Sequence, residues 1–317
     1  MSLYPKLYGY VPRGAWRRFC SPGVLILCAA IAHGGERDRE RAACPQELDK
    51  FSQVQKKAGA NNAEAQTQLA SCYELGRNVA PSRSATIHWL SLAAAQGYAP
   101  AEYELGRIYL YGRGIPADYK AAMLWEEKAA LQGEAKAQRD MAYIYERGLG
   151  VQPDPRQAAV WNRKAAQQGD AQAQLHLGEA LEAGNGLSMS TGEAKQWYLK
   201  AAKQNVPEAQ LHLARLYGRE DPSACGAALD WYRKAAGNAQ AAAMYELGKL
   251  YQTVCGPDPE SAFVWFQIGA RFGSTESRAE ADKLSPQLND MQRKKADAAV
   301  EAWIARHSGA RKEADDD

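Results

Sequence analysis

Six tryptophans recur along this chain at a nearly constant spacing, and this regularity restricts the fold more than any other feature. They are Trp89, Trp125, Trp161, Trp197, Trp231 and Trp265, separated by 36, 36, 36, 34 and 34 residues. A second series of apolar residues follows almost the same interval: Leu69, Leu105, Met141, Leu177, Leu213 and Leu247. Two matched series over six units predict a repeat architecture with one supersecondary unit per period.

Each unit is predicted to contain two helices, and the second unit illustrates the pattern. Ala101, Leu105 and Tyr109 lie at positions i, i+4 and i+8, so they share one face of the first helix. The residue after each leucine of the series is only Gly or Ala, which predicts a close approach of two helix backbones. Residues 112–116, Gly-Arg-Gly-Ile-Pro, break the helix, and Gly133 is expected to end the second helix in the left-handed conformation.

A start signal for the second helix precedes five of the six tryptophans. The residues seven positions before each tryptophan are Ser82, Asp118, Asp154, Ser190, Ala224 and Asp258. All except Ala224 have side chains that can accept a hydrogen bond from an N–H of the first helical turn. This signal supports the helix–turn–helix unit independently of hydrophobic spacing.

The units resemble the Sel-1-like repeat family, which is related to the tetratricopeptide repeat. The residues that carry the resemblance are Ala-Glu-Tyr-Glu-Leu-Gly-Arg-Ile-Tyr at 101–109, Gly-Arg-Gly-Ile at 112–115, and Ala122, Trp125, Lys128-Ala129-Ala130 and Gly133. The resemblance covers about residues 63–273, although units five and six lack the Gly-x-Gly turn. It implies an all-α, right-handed α/α superhelical solenoid of helix–turn–helix repeats.

The segments that flank the repeats are predicted to cover the two ends of the array. Residues 33–62 are expected to supply one capping helix before the six repeats at 63–273. Residues 274–307 are expected to form two capping helices broken at Pro286, and residues 308–317 a disordered acidic tail. The residues expected to be buried in the C-terminal cap are Met291, Val300 and Trp303.

Residues 1–32 have the features of an export signal. Arg17 and Arg18 precede an apolar run from Val24 to Ala32, and Ala30-Ile31-Ala32 predicts cleavage after Ala32. The run is too short to cross a bilayer, which takes about 20 residues. A short buried helix of a cytosolic protein is the alternative. Export predicts a periplasmic or secreted chain with no membrane span after cleavage.

Four cysteines remain once the signal is removed, and an even number in an exported chain favours disulfides. Cys225 is expected to open the second helix of unit five and Cys255 to end the first helix of unit six, at the same end of one helical pair. Cys44 and Cys72 hold similar places around the first pair, so the predicted disulfides are Cys44–Cys72 and Cys225–Cys255. Each would close a loop of about 30 residues and contribute roughly 3 kcal/mol. Four buried thiols are the alternative.

Charge gives no reason to expect a nucleic-acid partner. The formal net charge is +2, but the first 32 residues hold four bases and no acid, which leaves 35 bases against 37 acids. A nearly neutral chain lacks the electrostatic footprint of nucleic-acid binding.

No catalytic, metal or cofactor site is expected. His176 and His212 are one repeat apart, so duplication explains their similarity, and equivalent positions are expected to be too far apart to share a metal ion. The Gly-x-Gly turns join helices without the Lys-Ser/Thr of a phosphate loop. The resemblance does supply an alternative, because some cysteine-rich members of the family have been linked to β-lactam hydrolysis. That alternative is a hydrolase acting on β-lactam or peptidoglycan-like substrates.

The remaining candidate is a surface on the first helices, two residues before and after each leucine of the series. The family resemblance implies that first helices line the concave side of the superhelix, where partners dock, and Tyr and Arg are enriched at binding hot spots. The candidate partner-binding residues are Tyr103, Arg107, Arg139, Tyr143, Arg215, Tyr245 and Lys249. Packing of the tyrosines between repeats is the alternative. The predicted function is an exported scaffold or adaptor for a protein or peptide partner, with a module that binds peptides or glycan fragments as a further possibility.

Overall fold

The computed structural model of the protein describes residues 44–220, 225–253 and 257–315. Those residues form α-helices and one 3-10 helix, Ser285–Gln287, without any strand. The α-helices are α1 Leu48–Gly59, α2 Ala63–Leu75, α3 Arg83–Ala94, α4 Ala99–Tyr111, α5 Tyr119–Leu131, α6 Ala135–Arg147, α7 Pro155–Gln167, α8 Ala171–Ala183, α9 Thr191–Lys203, α10 Pro207–Glu220, α11 Cys225–Gly237, α12 Ala241–Thr253, α13 Pro259–Arg271, α14 Thr275–Leu284 and α15 Asp290–Asp315. The chain divides into two compact units, Met1–Thr86 and Ile87–Asp317.

The described part of the first unit is held together by a disulfide. Cys44, which precedes α1, is bonded to Cys72 in α2, and their Cα atoms are 5.2 Å apart. This confirms the first predicted disulfide. Cys225 is also disulfide-bonded, whereas Cys255, its predicted partner, lies outside the described residues.

In the second unit, each helix from α5 to α13 packs against the helices that precede and follow it along the chain. We call α4, α6, α8, α10 and α12 the first helices of their repeats, and α5, α7, α9, α11 and α13 the second helices. The leucine series forms the core, since Leu105, Met141, Leu177, Leu213 and Leu247 are at most 1% exposed. This is the predicted all-α solenoid of helix–turn–helix repeats. Among the described residues, no helix combines the length and the hydropathy that crossing a bilayer requires.

The second helices begin where the sequence predicts. The Asp118 and Asp154 carboxylates each accept two hydrogen bonds from backbone N–H groups of the first helical turn, at 2.9–3.1 Å. Ser82, Ser190 and Asp258 each accept one such bond, at 3.2, 3.4 and 3.0 Å. The five predicted N-caps are therefore confirmed, and Ala224 lies outside the described residues.

The glycines that follow leucines of the series make room for a side chain of the second helix. A Cβ atom on Gly178 would lie 2.6 Å from the ring of Tyr198, and one on Gly248 would lie 2.4 Å from the ring of Phe266. The expectation of two closely approaching backbones is wrong at these positions, because the close group is a large side chain lying over the glycine.

A buried amide connects successive repeats. Gln138, Gln174 and Gln210, each in the first turn of a first helix, donate from Nε2 to a backbone carbonyl eight residues earlier, at 3.0, 3.1 and 3.2 Å. The accepting carbonyls belong to the preceding second helices: Ala130, Ala166 and Ala202. The Oε1 atoms of the same glutamines accept from Gln168, Gln204 and Asn238, at the ends of the second helices of their own repeats. One side chain therefore joins three helix ends.

The Gly-x-Gly turn is a second contact between repeats. Gly186, in the turn between α8 and α9, has φ +73°, and a Cβ atom there would lie 2.1 Å from the carbonyl oxygen of Pro155 at the start of α7. Gly150 lies against Tyr119 at the start of α5 in the same way. The second glycine of the turn thus allows one repeat to contact the beginning of the preceding second helix.

The C-terminal segment forms two helices, α14 and α15, joined by the 3-10 helix that contains Pro286. Val300 is 1% exposed and Trp303 is partly buried, but Met291 is 80% exposed, so its predicted burial is wrong. Helix α15 continues to Asp315 through most of the segment expected to be disordered, residues 308–317. Ala, Arg, Lys and Glu in this segment favour helix, which accounts for the difference.

Replacing Gly186 with alanine should destabilise the protein. The substitution forces a Cβ atom against the Pro155 carbonyl in a backbone conformation that alanine rarely adopts, so the free energy of unfolding should fall by roughly 2–4 kcal/mol. Gly192→Ala in α9 is the matched control, because nothing lies within 4 Å of its Cβ position, and it should leave stability unchanged or raise it. Urea unfolding measures both, and equal midpoints would show that Gly186 is not a packing contact.

Candidate interaction surface

The seven candidate binding residues separate into a buried pair and a partly exposed set. Tyr103 and Arg107 are only 5% and 8% exposed, so they offer almost no area to a partner. Their assignment to a binding surface is wrong, and packing between repeats describes them instead. The partly exposed candidates are Arg139, Tyr143, Arg215, Tyr245 and Lys249.

Arg107 is enclosed by aromatic rings and a carboxylate. Its guanidinium carbon lies 5.6 Å from the ring centre of Tyr103 and 5.4 Å from that of Tyr111, one helical turn to either side in α4. Its Nε atom lies 3.9 Å from Oδ2 of Asp140 in α6. Cation–π and ionic contacts of this kind stabilise a buried arginine. Arg107 therefore joins the first helices of two consecutive repeats.

A buried glutamate lies near this group. Glu126 in α5 is 0% exposed, and neither of its carboxylate oxygens has a hydrogen-bond partner among the described residues. It packs over Gly106, where a Cβ atom would lie 2.8 Å from the carboxyl carbon. Burial, followed by the negative charge of Asp140, raises the pKa of Glu126 well above its usual value. The neutral carboxylic acid is therefore the form that fits this position.

The partly exposed arginines form ion pairs that bridge repeats. Arg139 Nη1 lies 2.8 Å from Oδ2 of Asp170, the N-cap residue of α8, and its Nε lies 3.7 Å from Asp140. Arg215 in α10 contacts Glu246 in α12 at 3.2 Å. The Arg139 and Arg215 side chains remain 26% and 34% exposed. Each arginine is therefore held by at least one carboxylate while part of its side chain stays exposed to solvent.

Two histidines meet at one carboxylate between repeats four and five. Glu179 Oε2 lies 3.1 Å from Nδ1 of His176, and its Oε1 lies 3.6 Å from Nε2 of His212. His212 also contacts Glu182 at 3.2 Å and stacks on Tyr198, with ring centres 4.9 Å apart. Glu179 thus links two histidines that lie one repeat apart.

The side chain of His176 is 42% exposed. Burial acts to lower the pKa of His176, but its hydrogen bond to Glu179 and the charges of Glu179 and Glu146 raise it above the usual value. In the described part of the chain, no group of three or more His, Cys, Asp or Glu side chains is placed to hold a metal ion.

The first-helix face, as we use the term, consists of seven of the partly exposed side chains of α6, α8, α10 and α12. They are Arg139, Tyr143, His176, Glu179, Arg215, Tyr245 and Lys249. Sequence analysis missed the roles of Glu126 and of the three bridging glutamines. The glutamines did give a signal, since Gln138, Gln174 and Gln210 recur at the repeat interval of 36 residues. Glu126 gave none, because its equivalents Asn162 and Tyr198 are of other types.

The substitution Glu126→Gln should change how stability depends on pH. The folded-state pKa of Glu126 is raised, so its proton stabilises the native state fully below the unfolded pKa of about 4.3 and progressively less as pH rises toward the folded value. Glutamine has no proton to lose. We therefore compare the free energy of unfolding of the Glu126→Gln variant with that of the unsubstituted chain. From about pH 5 to about pH 8, the difference between them should change in favour of the variant by at least about 1.4 kcal/mol.

Urea unfolding at several pH values measures this effect. Glu127→Gln, at the neighbouring partly exposed position, is the control and should shift stability equally at both ends of the range. Parallel pH profiles for Glu126→Gln and the unsubstituted chain would show that Glu126 is ionised in the folded protein.

Solved structures of other proteins share this architecture. A protective antigen of uropathogenic Escherichia coli with an SLR fold is 28% identical, with a TM-score of 0.71 over 82% of this chain and 56% of the antigen. The present chain therefore spans little more than half the length of that antigen. A Sel1 repeat protein from Oxalobacter formigenes is 32% identical, with a TM-score of 0.57 over 66% of this chain and 85% of that protein. A comparison with curated proteins gives no significant match.

The Sel1 repeat matches the sequence six times in succession. The matched residues are 63–98, 99–134, 135–170, 171–206, 207–238 and 241–273. Each match begins at or next to the start of a first helix, so the sequence repeat and the structural repeat coincide. The chain belongs to the Sel1 repeat family.

Proposed function

We propose that the protein is an exported scaffold or adaptor whose first-helix face binds a protein or peptide partner. Sel1 repeat proteins are protein-interaction scaffolds, so the general role follows from the family. The choice of surface rests on one observation, the fixed but solvent-accessible charged side chains of consecutive first helices. Arg139, His176 and Arg215 each have an ionic partner in the protein and an exposed remainder.

Such side chains suit recognition because they lose little conformational freedom on binding. Tyr143 and Tyr245 are partly exposed beside them and supply the aromatic area that binding hot spots use. The face also contains both signs of charge, with Glu179 among the bases. It therefore offers directional contacts to a polypeptide and no enclosed site for chemistry.

Export is the second part of the proposal. Disulfides form and persist mainly in oxidising compartments such as the periplasm and the cell exterior. The bond between Cys44 and Cys72 and the disulfide-bonded state of Cys225 support this location. The signal segment, residues 1–32, and its cleavage position after Ala32 lie outside the described residues.

No observation favours the hydrolase alternative. Cys44, Cys72 and Cys225, the three cysteines among the described residues, are disulfide-bonded, so none of them presents the thiolate that a cysteine nucleophile needs. The proposal is therefore a binding function.

Crosslinking and pull-down from the envelope fraction of the source cells tests the proposal, with the protein expressed from its full sequence. Arg215→Glu with Lys249→Glu reverses two charges of the first-helix face and should reduce partner capture at least about tenfold, as hot-spot substitutions do. Arg278→Glu with Lys294→Glu, in exposed parts of α14 and α15, makes the same charge change elsewhere and should capture the partner normally.

The mass of the recovered protein tests export. Cleavage after Ala32 should leave His33 at its N-terminus.

Arg107 is left unchanged in this experiment, because its burial would confuse loss of binding with loss of folding. Both double variants should melt within a few degrees of the unsubstituted protein. Equal capture by the two variants would contradict the assignment of the surface. A cytosolic chain that retains Met1 would contradict export.

A further inference from the structure

The second helices of repeats two, three and four carry an excess of basic side chains. Helix α7 contains three bases and no acid, and the acids of α5 and α9 that reach the surface are Glu127 and Glu193. We call six exposed bases of α5, α7 and α9 the basic stripe, and three of them, Lys128, Lys164 and Lys200, occupy equivalent positions of their repeats. The six bases are Lys128, Arg156, Arg163, Lys164, Lys200 and Lys203.

These three helices lie side by side, so the basic stripe is one surface. At one end, Gln204 after α9 donates a hydrogen bond of 3.0 Å to the carbonyl of Gly169 after α7. At the other end, the Gly186 turn before α9 contacts Pro155 at the start of α7, and the Gly150 turn before α7 contacts Tyr119 at the start of α5. Equivalent positions on consecutive second helices therefore face the same way.

Three of the bases are held in place by tryptophans of the repeat series. The ammonium groups of Lys128, Lys164 and Lys200 lie 4.1, 3.8 and 3.7 Å from the ring centres of the tryptophans three residues earlier. None of the six bases forms an ion pair with a carboxylate within the part of the chain that the structure describes. The bases of the stripe are therefore not paired with carboxylates in the described chain, although the charge of Lys128 acts to lower the pKa of Glu102.

Exposed aliphatic side chains lie among these bases. Leu124 and Leu131 are 50% and 69% exposed and flank Lys128 at positions i−4 and i+3 on α5. Val160 is 46% exposed and lies between Arg156 and Lys164, four residues from each, on α7. Bases that surround exposed aliphatic residues on one face are typical of helices that lie in the interface of a bilayer.

We propose that the basic stripe docks on a membrane surface rich in anionic phospholipids. Any polyanion would attract the bases, and a bilayer interface would in addition bury Leu124, Leu131 and Val160. Lysine and arginine stems can extend along apolar surface while their charged ends reach the phosphates. The stripe is built from second helices, so the first-helix face is left available to a partner.

Co-sedimentation with vesicles tests the proposal, using phosphatidylcholine with and without about one third phosphatidylglycerol. The triple variant Arg156→Gln, Arg163→Gln, Lys203→Gln spares the bases that lie over tryptophans, so the indole packing is preserved. It should bind the anionic vesicles roughly 100-fold more weakly, given the contribution of each base near an anionic surface.

The matched control is Lys136→Gln, Arg147→Gln, Arg219→Gln, which removes the same charge from exposed positions of first helices. Its binding should fall less than about threefold, since these bases lie outside the stripe. An equal loss in the two triple variants would overturn the proposal, because net charge alone would then explain binding.

The pair Leu124→Gln, Leu131→Gln tests the apolar contribution without changing charge. It should weaken binding to anionic vesicles about tenfold, in line with the loss of two partly inserted side chains. Binding to dextran sulfate with no binding to anionic vesicles would overturn the proposal in favour of a soluble polyanion. Equal binding to vesicles with and without phosphatidylglycerol would overturn it as well.

Discussion

A buried glutamine amide joins each of three repeats in the second unit to the repeat before it, and the arrangement of both surfaces depends on this contact. The amide supplies a donor to a carbonyl of the preceding second helix and an acceptor to the end of its own second helix. Loss of the amide would remove both of these buried hydrogen bonds, each of which contributes about 0.5–1.5 kcal/mol, so the register between repeats is strongly specified. Side chains at equivalent positions then align from one repeat to the next, which creates extended faces instead of isolated sites.

Much of the fold could be predicted from the sequence because its signals are local and repeated. The leucine series marks the buried face of each first helix, and the N-cap residues mark where second helices begin. The bridging glutamines were present in the same repeat pattern but were not recognised, since nothing local distinguishes the buried Gln174 from the exposed Gln172 two residues earlier. Burial of a polar residue depends on which carbonyl the preceding repeat offers.

The candidate site could be predicted only in part, because exposure depends on neighbours that differ between repeats. Arg107 and Arg215 occupy equivalent positions, but Arg107 is followed one turn later by Tyr111 and Arg215 by Arg219. The aromatic ring covers Arg107 and helps to bury it, whereas Arg215 keeps a third of its side chain exposed. Sequence spacing thus places these residues on the first helices, but it does not predict which of them are exposed.

The second unit therefore presents two different faces, one of fixed polar and aromatic groups on first helices and one of bases and aliphatic groups on second helices. Both require that the repeats keep their register. The substitution Gln174→Met tests this directly, since methionine is the natural residue at the equivalent position, Met244, of the last repeat. Urea unfolding should show a loss of about 2 kcal/mol for Gln174→Met and less than about 0.5 kcal/mol for the exposed control Gln172→Met. Equal stability of the two variants would contradict the central claim that the buried amide holds consecutive repeats together.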